Sequence, residues 1–275
     1  MALFLGIDGG GTGCRAAVAD ATGRVLGRAE AGPANIASDP AGAAANILTA
    51  AQEALAQAGG GQIAAAGLGL AGANAAGAVD HLRRLLPFPR MVVETDATAA
   101  VKGALGHADG IVAALGTGSV FARQKAARIH QIGGWGLVLG DEGSGAWIGR
   151  AALARALRAQ DGFVPMTPFL ATLLRDHGGA DGVVTFSLSA RPADFAALAP
   201  RVLASDDPAA QALVDMAMTE VARAVDLLQD GEALGVVFLG GLGPTAAARL
   251  AGRWPLRAAQ GSALDGALLL ARGAA

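Results

Sequence analysis

Short apolar runs alternate with longer amphipathic stretches along the 275-residue chain. Three runs that fit strands, 3–8, 14–20 and 25–31, follow one another at the start, joined by a glycine-rich loop and a turn. Asp39-Pro40 then predicts a helix start, because Asp often caps helices and Pro suits the first helical position. We expect this helix to end near Ala58.

Strands and helices alternate in the remainder of the first half. The pattern predicts strands over 63–70 and 91–95, and helices near 79–86 and 97–105. The predicted order is therefore βββαβαβα, which is typical of an α/β domain.

The second half begins in the same way, with an apolar run at 111–115, a glycine-rich loop and two further predicted strands at 120–124 and 128–133. Later segments predict a long amphipathic helix, an apolar strand and a short final helix, at 208–228, 236–239 and 263–272. Strand, glycine loop and strand thus occur twice, about one domain apart. We predict two domains, 1–106 and 107–275, facing each other across a cleft. The helix at 263–273 is a candidate to pack back on the first domain.

Charge and cysteine content exclude several classes of function. The net charge is −2, and Lys102 and Lys125 are the only lysines, so no basic patch for nucleic acid is expected. A single cysteine, Cys14, cannot form an internal disulfide or a multi-cysteine zinc site and fits a reducing compartment. No apolar stretch approaches the ~20 residues of a membrane span, and the N-terminus lacks a basic leader segment. We expect a cytoplasmic protein with neither nucleic-acid nor membrane partners.

Glycine makes up 41 residues and clusters after predicted strands. In the loop Asp8-Gly9-Gly10-Gly11-Thr12-Gly13, consecutive backbone N–H groups can approach a phosphate without an intervening Cβ. Thr12 adds a hydroxyl donor, and Asp8 is placed to hold Mg²⁺ through water. The same composition also fits a tight hairpin without a ligand.

Two further loops echo this composition, Gly116-Thr117-Gly118-Ser119 and Gly240-Gly241-Leu242-Gly243-Pro244, each after an apolar strand. Three such loops favour a nucleotide site over three unrelated turns. A Rossmann loop does not fit, because Cys14 stands at the last glycine position and a strand follows. A Walker loop requires Gly-Lys-Ser/Thr, which neither lysine provides.

Together the loops resemble the phosphate-1, phosphate-2 and adenosine motifs of the actin–hexokinase–heat-shock ATPase superfamily. The element order resembles its duplicated ribonuclease H-like domain, which implies two mixed five-stranded α/β domains around an interdomain cleft. ATP and Mg²⁺ are the implied cofactors. The nucleotide-binding positions that the resemblance implies are Asp8, Gly10, Gly11, Thr12, Gly116, Thr117, Gly118, Ser119, Gly240 and Gly241.

Further segments narrow the resemblance. They are Gly32-Pro33-Ala34-Asn35, Thr95-Asp96-Ala97, Gly133-Gly134-Trp135-Gly136, Gly140-Asp141-Glu142-Gly143-Ser144-Gly145 and Ala159-Gln160-Asp161-Gly162. This set looks like the amino-sugar kinases, glucosamine kinase and N-acetylglucosamine kinase, of the BadF/BadG/BcrA/BcrD-type ATPase family. It implies transfer of the ATP γ-phosphoryl to the 6-hydroxyl of one of these sugars, and leaves open which one. Dimers are common among such relatives, so the resemblance makes a homodimer a candidate assembly, although the sequence itself does not give the oligomeric state.

Asp96 is the candidate catalytic base, because a sugar hydroxyl needs a nearby carboxylate to orient it and take its proton. The alternative is that Asp96 only caps the following helix. Asn35 and Asp141 are candidates to bind sugar hydroxyls; their alternatives are a turn residue and a helix cap. Trp135 is a candidate for a flat wall of the sugar site, because its flanking glycines favour a loop; the alternative is a core residue, which is the commoner position of an aromatic side chain. Gly134 is a further candidate to bind the sugar.

Three other classes of protein are alternatives. One is the activator branch of the same family, which shares an iron–sulfur cluster between subunits; a four-iron cluster typically takes four thiolates, and two copies of this chain would supply two. A second is a sugar sensor without catalysis, whose repressor relatives carry an N-terminal helix-turn-helix; this sequence starts with a predicted strand at that position. The third is an inactive scaffold, which only the presence of Asp8, Thr12 and Asp96 opposes.

Overall fold

The computed structural model describes residues 2–274, which form two compact units. Unit 1 contains the chain up to Ala108 together with the segment from Ala258 onward, and unit 2 is the continuous segment Asp109–Arg257. The chain therefore leaves unit 1 once and returns to it near the C-terminus.

Nine strands lie within residues 2–274. They are β1 (Leu3–Gly9), β2 (Cys14–Asp20), β3 (Val25–Ala31), β4 (Ile63–Leu70), β5 (Met91–Thr95), β6 (Gly110–Leu115), β7 (Ser119–Lys125), β8 (Arg128–Gly133) and β9 (Val236–Leu239). They form a five-stranded sheet in unit 1, in the order β3-β2-β1-β4-β5, and a four-stranded sheet in unit 2, in the order β8-β7-β6-β9.

Eleven helices accompany these strands in the described part of the chain. They are α1 (Pro40–Gln57), α2 (Ala78–Leu85), α3 (Asp96–Leu105), α4 (Gly145–Gln160), α5 (Pro168–Asp176), α6 (Gly179–Ser189), α7 (Pro192–Ala196), α8 (Ala199–Leu203), α9 (Pro208–Gln229), α10 (Gly243–Arg249) and α11 (Ala263–Gly273). The mixed α/β architecture predicted from the sequence is confirmed, with nearly the predicted bounds in the first half.

In unit 1, strands β1, β2 and β3 are antiparallel, whereas β1, β4 and β5 run parallel. Helix α1 packs against β2 and β3, and begins as predicted: Pro40 is its first residue, and the Asp39 carboxylate accepts the Gly42 amide hydrogen at 2.9 Å. This cap satisfies one of the free N–H groups of the first turn.

Helix α11 covers β1 and β4, and it also contacts α3. The approach is close because both strands present glycine to it. A Cβ added at Gly67 would lie 2.1 Å from the Ala267 carbonyl oxygen, and one at Gly6 would lie 2.8 Å from the Leu268 amide nitrogen. The glycines of this sheet face therefore allow the C-terminal helix to dock.

The prediction of five strands in the second sheet is wrong, since the structure has four strands there and one isolated bridge. Val236 pairs with Leu256 in parallel; its amide donates to the Pro255 carbonyl at 2.8 Å, and its carbonyl accepts from the Arg257 amide at 2.8 Å. Pro255 has no N–H to continue a ladder, and the chain returns to unit 1 after Arg257. Pairing at this edge is thereby limited to a single residue.

Helices α4, α5 and α9 pack around a separate core in unit 2. Long helix α9 confirms the amphipathic segment that the sequence predicted, and it buries residues such as Leu213, Val221 and Val225. Helices α5 to α8 were not predicted. They complete this core with Leu170, Val183 and other apolar side chains.

Candidate active site

Two of the predicted site residues, Asp8 and Asp96, are carboxylates that lie at the carboxyl ends of strands in the unit 1 sheet. Asp8 stands near the end of β1, and Asp96 follows the last residue of β5. Strands β1, β4 and β5 are parallel neighbours, with Asp8 beside Gly69 and Gly69 beside Glu94. Two strand spacings, about 10 Å, therefore separate the β1 and β5 backbones at this edge.

The hairpin between β1 and β2 closes through a bond from the Gly10 amide to the Gly13 carbonyl, 2.9 Å. Its glycines serve two purposes. A Cβ at Gly9 would lie 2.7 Å from Leu70 and 2.9 Å from Ala34, so this glycine permits packing, whereas a Cβ at Gly11 would meet nothing within 4 Å. Thr12 is exposed on the same loop. The tip of the hairpin is therefore free to receive a ligand, which fits the predicted phosphate role.

Asp8 forms an ion pair that sequence reasoning missed. It lies directly opposite Arg15 in the β1–β2 register, and the Arg15 Nη2 donates to Asp8 Oδ2 at 2.7 Å. Burial raises the pKa of the Asp8 carboxyl above its usual range, Arg15 opposes the rise, and the charge of Asp96 adds to it. The two strands of the hairpin are antiparallel, so residues at equal distances from the loop, such as Asp8 and Arg15, lie side by side. Their equal spacing from the glycine loop is the feature of the sequence that could have predicted this ion pair.

Asp96 is exposed and is not the cap of α3. The Thr95 hydroxyl accepts the Thr98 amide hydrogen at 3.1 Å and so caps the helix. Asp96 is the first helical residue, and its Oδ1 accepts the amide hydrogen of Ala97 at 2.9 Å. The alternative interpretation of Asp96 as a helix cap is therefore wrong.

Asn35 lies in a loop fastened to the same edge of unit 1. The Ala34 amide donates to the Gly10 carbonyl at 2.8 Å, and the Ile36 amide donates to the Ala71 carbonyl at 3.0 Å. Asn35 Oδ1 accepts the Ala37 amide hydrogen at 3.0 Å, so this side chain does serve as a turn residue. Its Nδ2 group remains the donor that could meet a ligand.

In unit 2, two predicted nucleotide loops meet after the neighbouring parallel strands β6 and β9. Gly240 has a φ of +82°, and a Cβ there would lie 2.3 Å from the Leu115 carbonyl oxygen. Added Cβ atoms at Gly116 and Gly241 would meet nothing within 4 Å. Gly240 therefore allows the loops to approach each other, while Gly116 and Gly241 border open space, beside the exposed Thr117.

Asp141 lies against one of these loops. A Cβ at Gly118 would be 2.8 Å from Asp141 Oδ2, so the carboxylate rests on the glycine. Asp141 is 7% exposed and has a φ of +62°, a left-handed conformation that Asp tolerates better than most residues. The cap of α4 is Ser144, whose hydroxyl accepts the Trp147 amide hydrogen, so the interpretation of Asp141 as that cap is wrong.

The segment after Asp141 is bonded to the same loop. The Ser119 hydroxyl donates to the Glu142 carbonyl at 2.9 Å, and the Gly145 amide donates to the Gly116 carbonyl at 2.8 Å. Ser119 was predicted to bind nucleotide, but its buried hydroxyl is committed to Glu142. Thr117 is therefore the hydroxyl of this loop that is available to a ligand.

Trp135 is 74% exposed, so the alternative of a core position is wrong. Gly134 and Gly136 flank it with φ angles of +76° and +82°. The loop is anchored at its middle, where the Arg150 guanidinium donates to the carbonyl of buried Leu137 at 2.8 Å. A flat apolar surface is thus presented to solvent from a fixed loop.

The residues of unit 1 are compatible with the predicted Mg²⁺. Among residues 2–274, no group of three or more His, Cys, Asp or Glu side chains could hold a metal. Mg²⁺ commonly uses one or two carboxylates together with waters and substrate phosphates. Asp8, beside an open phosphate-type loop, suits this mode of binding.

The model of the BadF/BadG/BcrA/BcrD ATPase family matches residues 5–251. The chain belongs to this family. It is 33% identical over 209 residues to glucosamine kinase GspK of Vibrio cholerae. The matched segment covers 74% of this chain and 71% of that protein.

Solved structures agree with the family assignment. A Chromobacterium violaceum protein provisionally named N-acetylglucosamine kinase has 32% identity and a TM-score of 0.84, covering 98% of this chain and 99% of that one. The fold is also similar to that of a ROK family glucokinase from Streptomyces griseus in complex with glucose and AMPPNP, with 21% identity and a TM-score of 0.60 over 99% of both chains.

Two further observations concern the iron–sulfur alternative and the predicted absence of a membrane span. Cys14 is 2% exposed within the unit 1 core, where its thiol is not positioned to bridge to a second subunit. Within the described residues, no helix is both long enough and apolar enough to cross a bilayer.

Proposed function

We propose that this member of the family transfers the γ-phosphoryl group of ATP to the 6-hydroxyl of glucosamine or N-acetylglucosamine. The names of its relatives support an amino-sugar kinase: one is a glucosamine kinase, and another, 33% identical over 169 residues, is the N-acetylmuramic acid/N-acetylglucosamine kinase of Clostridium acetobutylicum.

The observation that carries this proposal is the position of Asp96. It is an exposed carboxylate without a capping role, at the same sheet edge as the phosphate-type hairpin. In the proposed reaction, an Asp96 oxygen accepts the proton of the sugar hydroxyl while the hydroxyl oxygen bonds to the γ-phosphorus and the bond to the β-phosphate oxygen breaks. Phosphoryl transfer depends mostly on such positioning and on charge stabilisation.

Each unit, taken by itself, carries donors of the kind that bind phosphate. Unit 1 offers the backbone around Gly10 and Gly11 and the Thr12 hydroxyl, and unit 2 offers the Gly116 loop and the Thr117 hydroxyl. Because added Cβ atoms at Gly11 and Gly116 would meet no atom, phosphate oxygens have room to reach the backbone there. Asp8 would hold Mg²⁺, which, when bound, neutralises charge on the phosphates and on the leaving group.

Asn35, Asp141 and Trp135 would recognise the sugar. Asn35 Nδ2 can donate to a hydroxyl oxygen, and the Asp141 carboxylate can accept a hydroxyl hydrogen. Leaving such a site group unpaired costs about 1–3 kcal/mol, so a few groups of this kind can select one hexose over another. Trp135, exposed at 74%, would cover an apolar face of the ring or the N-acetyl methyl group.

A coupled assay of ADP release tests the proposal with glucosamine, N-acetylglucosamine, N-acetylmannosamine, glucose and no sugar. We expect release that depends on an amino sugar. The 6-deoxy analogue of the best substrate should give none, and NMR of the product should place the phosphate on O6. Absence of sugar-stimulated release with every amino sugar would refute the kinase assignment, and turnover of the 6-deoxy analogue would refute the position of transfer.

A further inference from the structure

Trp135 and Glu142 meet at a glycine in the loop that precedes α4. A Cβ added at Gly140 would lie 3.4 Å from the Trp135 Cβ, 3.7 Å from the Trp135 Cδ1 and 3.5 Å from Glu142 Oε2. An aromatic side chain and a carboxylate therefore border the same point of unit 2, where Gly140 has no side chain of its own.

The Glu142 carboxylate has no counter-charge from the protein. Glu142 is exposed, and within the described part of the chain its side chain forms neither an ion pair nor a hydrogen bond. Arg150, the arginine of this region, directs its Nη1 to the Leu137 carbonyl at 2.8 Å and forms no ion pair with Glu142. The negative charge of Glu142 is thus available to a cation from solution.

Trp135 adds an aromatic surface at the same point. Its side chain is 74% exposed, and tryptophan is the aromatic residue that attracts a cation most strongly, over distances up to about 6 Å from the ring centre. A carboxylate beside an indole ring therefore suits an ammonium group, which can donate a charge-assisted hydrogen bond to the carboxylate while it lies near the ring. A hydroxyl or a neutral amide at this point would gain much less, because neither carries the positive charge.

Backbone hydrogen bonds hold both residues in place. The Gly140 amide donates to the Gly136 carbonyl at 2.8 Å, which closes the turn that follows Trp135. The Glu142 carbonyl accepts the Ser119 hydroxyl hydrogen at 2.9 Å. Since the loop is already ordered, little of the binding energy of a cation would be spent on fixing it.

We propose that Trp135 and Glu142 form a subsite for the protonated 2-amino group of the sugar, so that the preferred substrate is a hexosamine with a free amine and not its N-acetyl derivative. This inference rests on the proposed kinase function and deepens it by choosing between the two sugars. It gives Glu142 a role in specificity that is separate from proton transfer at Asp96. The neighbouring Asp141 would accept a hydrogen from a hydroxyl group of the same sugar.

The kinetics of ADP release with glucosamine, N-acetylglucosamine and glucose test this subsite. Glucose is the matched ligand, because it carries a hydroxyl where glucosamine carries the ammonium group. We would compare the wild type with Glu142→Gln and Trp135→Leu. The control is Glu53→Gln, since Glu53 is an exposed glutamate of α1 whose side chain likewise has no partner among residues 2–274. Melting temperatures would show that each variant is folded.

The wild type should have a kcat/KM for glucosamine at least about tenfold above those for glucose and N-acetylglucosamine, because only glucosamine offers a charge-assisted hydrogen bond. Glu142→Gln should lower the glucosamine value by about tenfold or more, mainly through KM, and change the glucose value by less than about threefold. Trp135→Leu should narrow the preference for glucosamine over glucose by a smaller factor. Glu53→Gln should stay within about twofold of wild type for every sugar.

Three results would overturn the subsite. The first is a wild type that uses N-acetylglucosamine at least as well as glucosamine, which decides the matter even if a variant fails to fold. The second is an equal loss on glucosamine and glucose in Glu142→Gln, which would show a structural role only. The third is a preference for glucosamine over glucose that Glu142→Gln leaves within about twofold of wild type. If glucose turns over too slowly to measure, its inhibition constant against glucosamine replaces kcat/KM in these comparisons.

The outcome for the subsite is distinguishable from the outcome for the kinase assignment. If the wild type phosphorylates an amino sugar while Glu142→Gln keeps the full preference for glucosamine, the subsite alone fails. If no amino sugar stimulates ADP release, the proposed function itself fails and the subsite fails with it.

Discussion

Thr95 and Asp96 are adjacent residues at the start of α3, but only Thr95 caps the helix. The Thr95 hydroxyl accepts the Thr98 amide hydrogen at 3.1 Å and caps the helix, while the Asp96 carboxylate remains exposed at the first helical position. Stability and catalysis can therefore be separated by substituting two adjacent residues.

Asp96→Asn should reduce kcat by about 10²–10⁴, because the amide cannot take the hydroxyl proton. Its free energy of unfolding should change by less than ~0.5 kcal/mol, as for other exposed substitutions. Steady-state kinetics and urea titrations measure the two quantities.

Thr95→Ala is the matched control, and it should lower the free energy of unfolding by ~0.5–2 kcal/mol through loss of the cap. A kcat of Asp96→Asn within about tenfold of wild type would contradict the role of general base.

Alanine substitutions at Gly116 and Gly118 should affect the KM values for ATP and for the amino sugar differently, although both glycines lie in one loop. Gly118→Ala places a Cβ 2.8 Å from Asp141 Oδ2 and must displace this carboxylate, so we expect KM for the amino sugar to rise by about fivefold or more. Gly116→Ala places its Cβ in open space beside the predicted phosphate position, so here KM for ATP should rise. Titrating each substrate at saturation of the other measures both constants; the same pattern of changes in both variants would contradict the division of roles.

The docking of α11 should be sensitive to one methyl group. Gly67→Ala would bring a Cβ 2.1 Å from the Ala267 carbonyl oxygen, which should lower the free energy of unfolding by ~1–3 kcal/mol. The three tryptophans, Trp135, Trp147 and Trp254, all lie in unit 2, so their fluorescence follows that unit while far-UV circular dichroism follows both. We expect the dichroism midpoint in urea to fall more than the fluorescence midpoint.

Gly273→Ala is the control for this substitution, because its Cβ would meet nothing within 4 Å. It lies in the last turn of α11, where alanine should be neutral or stabilise by up to ~1 kcal/mol. Equal stability of Gly67→Ala and wild type would show that α11 does not depend on the close approach.

Asp207 should make the stability of unit 2 depend on pH. Burial alone would raise the pKa of this carboxyl, but N–H donors, including those of Phe169 at 3.1 Å and Ala209 at 2.8 Å, outweigh it and hold the pKa below its usual value. Its stabilisation is therefore complete above the unfolded pKa of about 3.9 and is lost as pH falls through the lower folded value.

Asp207→Asn keeps a capping oxygen but removes the charge. At pH 7 it should lower the free energy of unfolding of unit 2 by ~0.5–1 kcal/mol, and its stability should fall less than that of wild type between pH 5 and pH 3. Urea titrations followed by tryptophan fluorescence measure both effects. The neighbouring Asp206, which is exposed, provides the control Asp206→Asn; parallel pH profiles for all three proteins would contradict the assignment.

The strands and their loops were predictable because short apolar runs bounded by glycine leave few alternatives. Helix α6 was not, for physical reasons. It starts at Gly179 without a capping side chain, and its Val183-Val184-Thr185-Phe186 stretch favours strand over helix. Contacts elsewhere in the chain stabilise it, including edge-to-face packing of Phe186 against His177 and Phe195.

At the candidate site, the sequence located the loops better than the duties of individual side chains. Thr95 and Asp96 are both capping residue types, as are Asp141 and Ser144, and a shift of one to three residues decides which one meets the helix N–H groups. The Arg15–Asp8 contact depends on strand register, which becomes definite only once the hairpin closes. Residue types alone do not carry this information.

The return of the chain to unit 1 has a consequence for biosynthesis. A ribosome releases the five strands of unit 1 first, then the whole of unit 2, and only afterwards residues 258–275. Until then the sheet face with Gly6 and Gly67 lacks the helix that covers it, so the unit that begins the chain is the last to be completed.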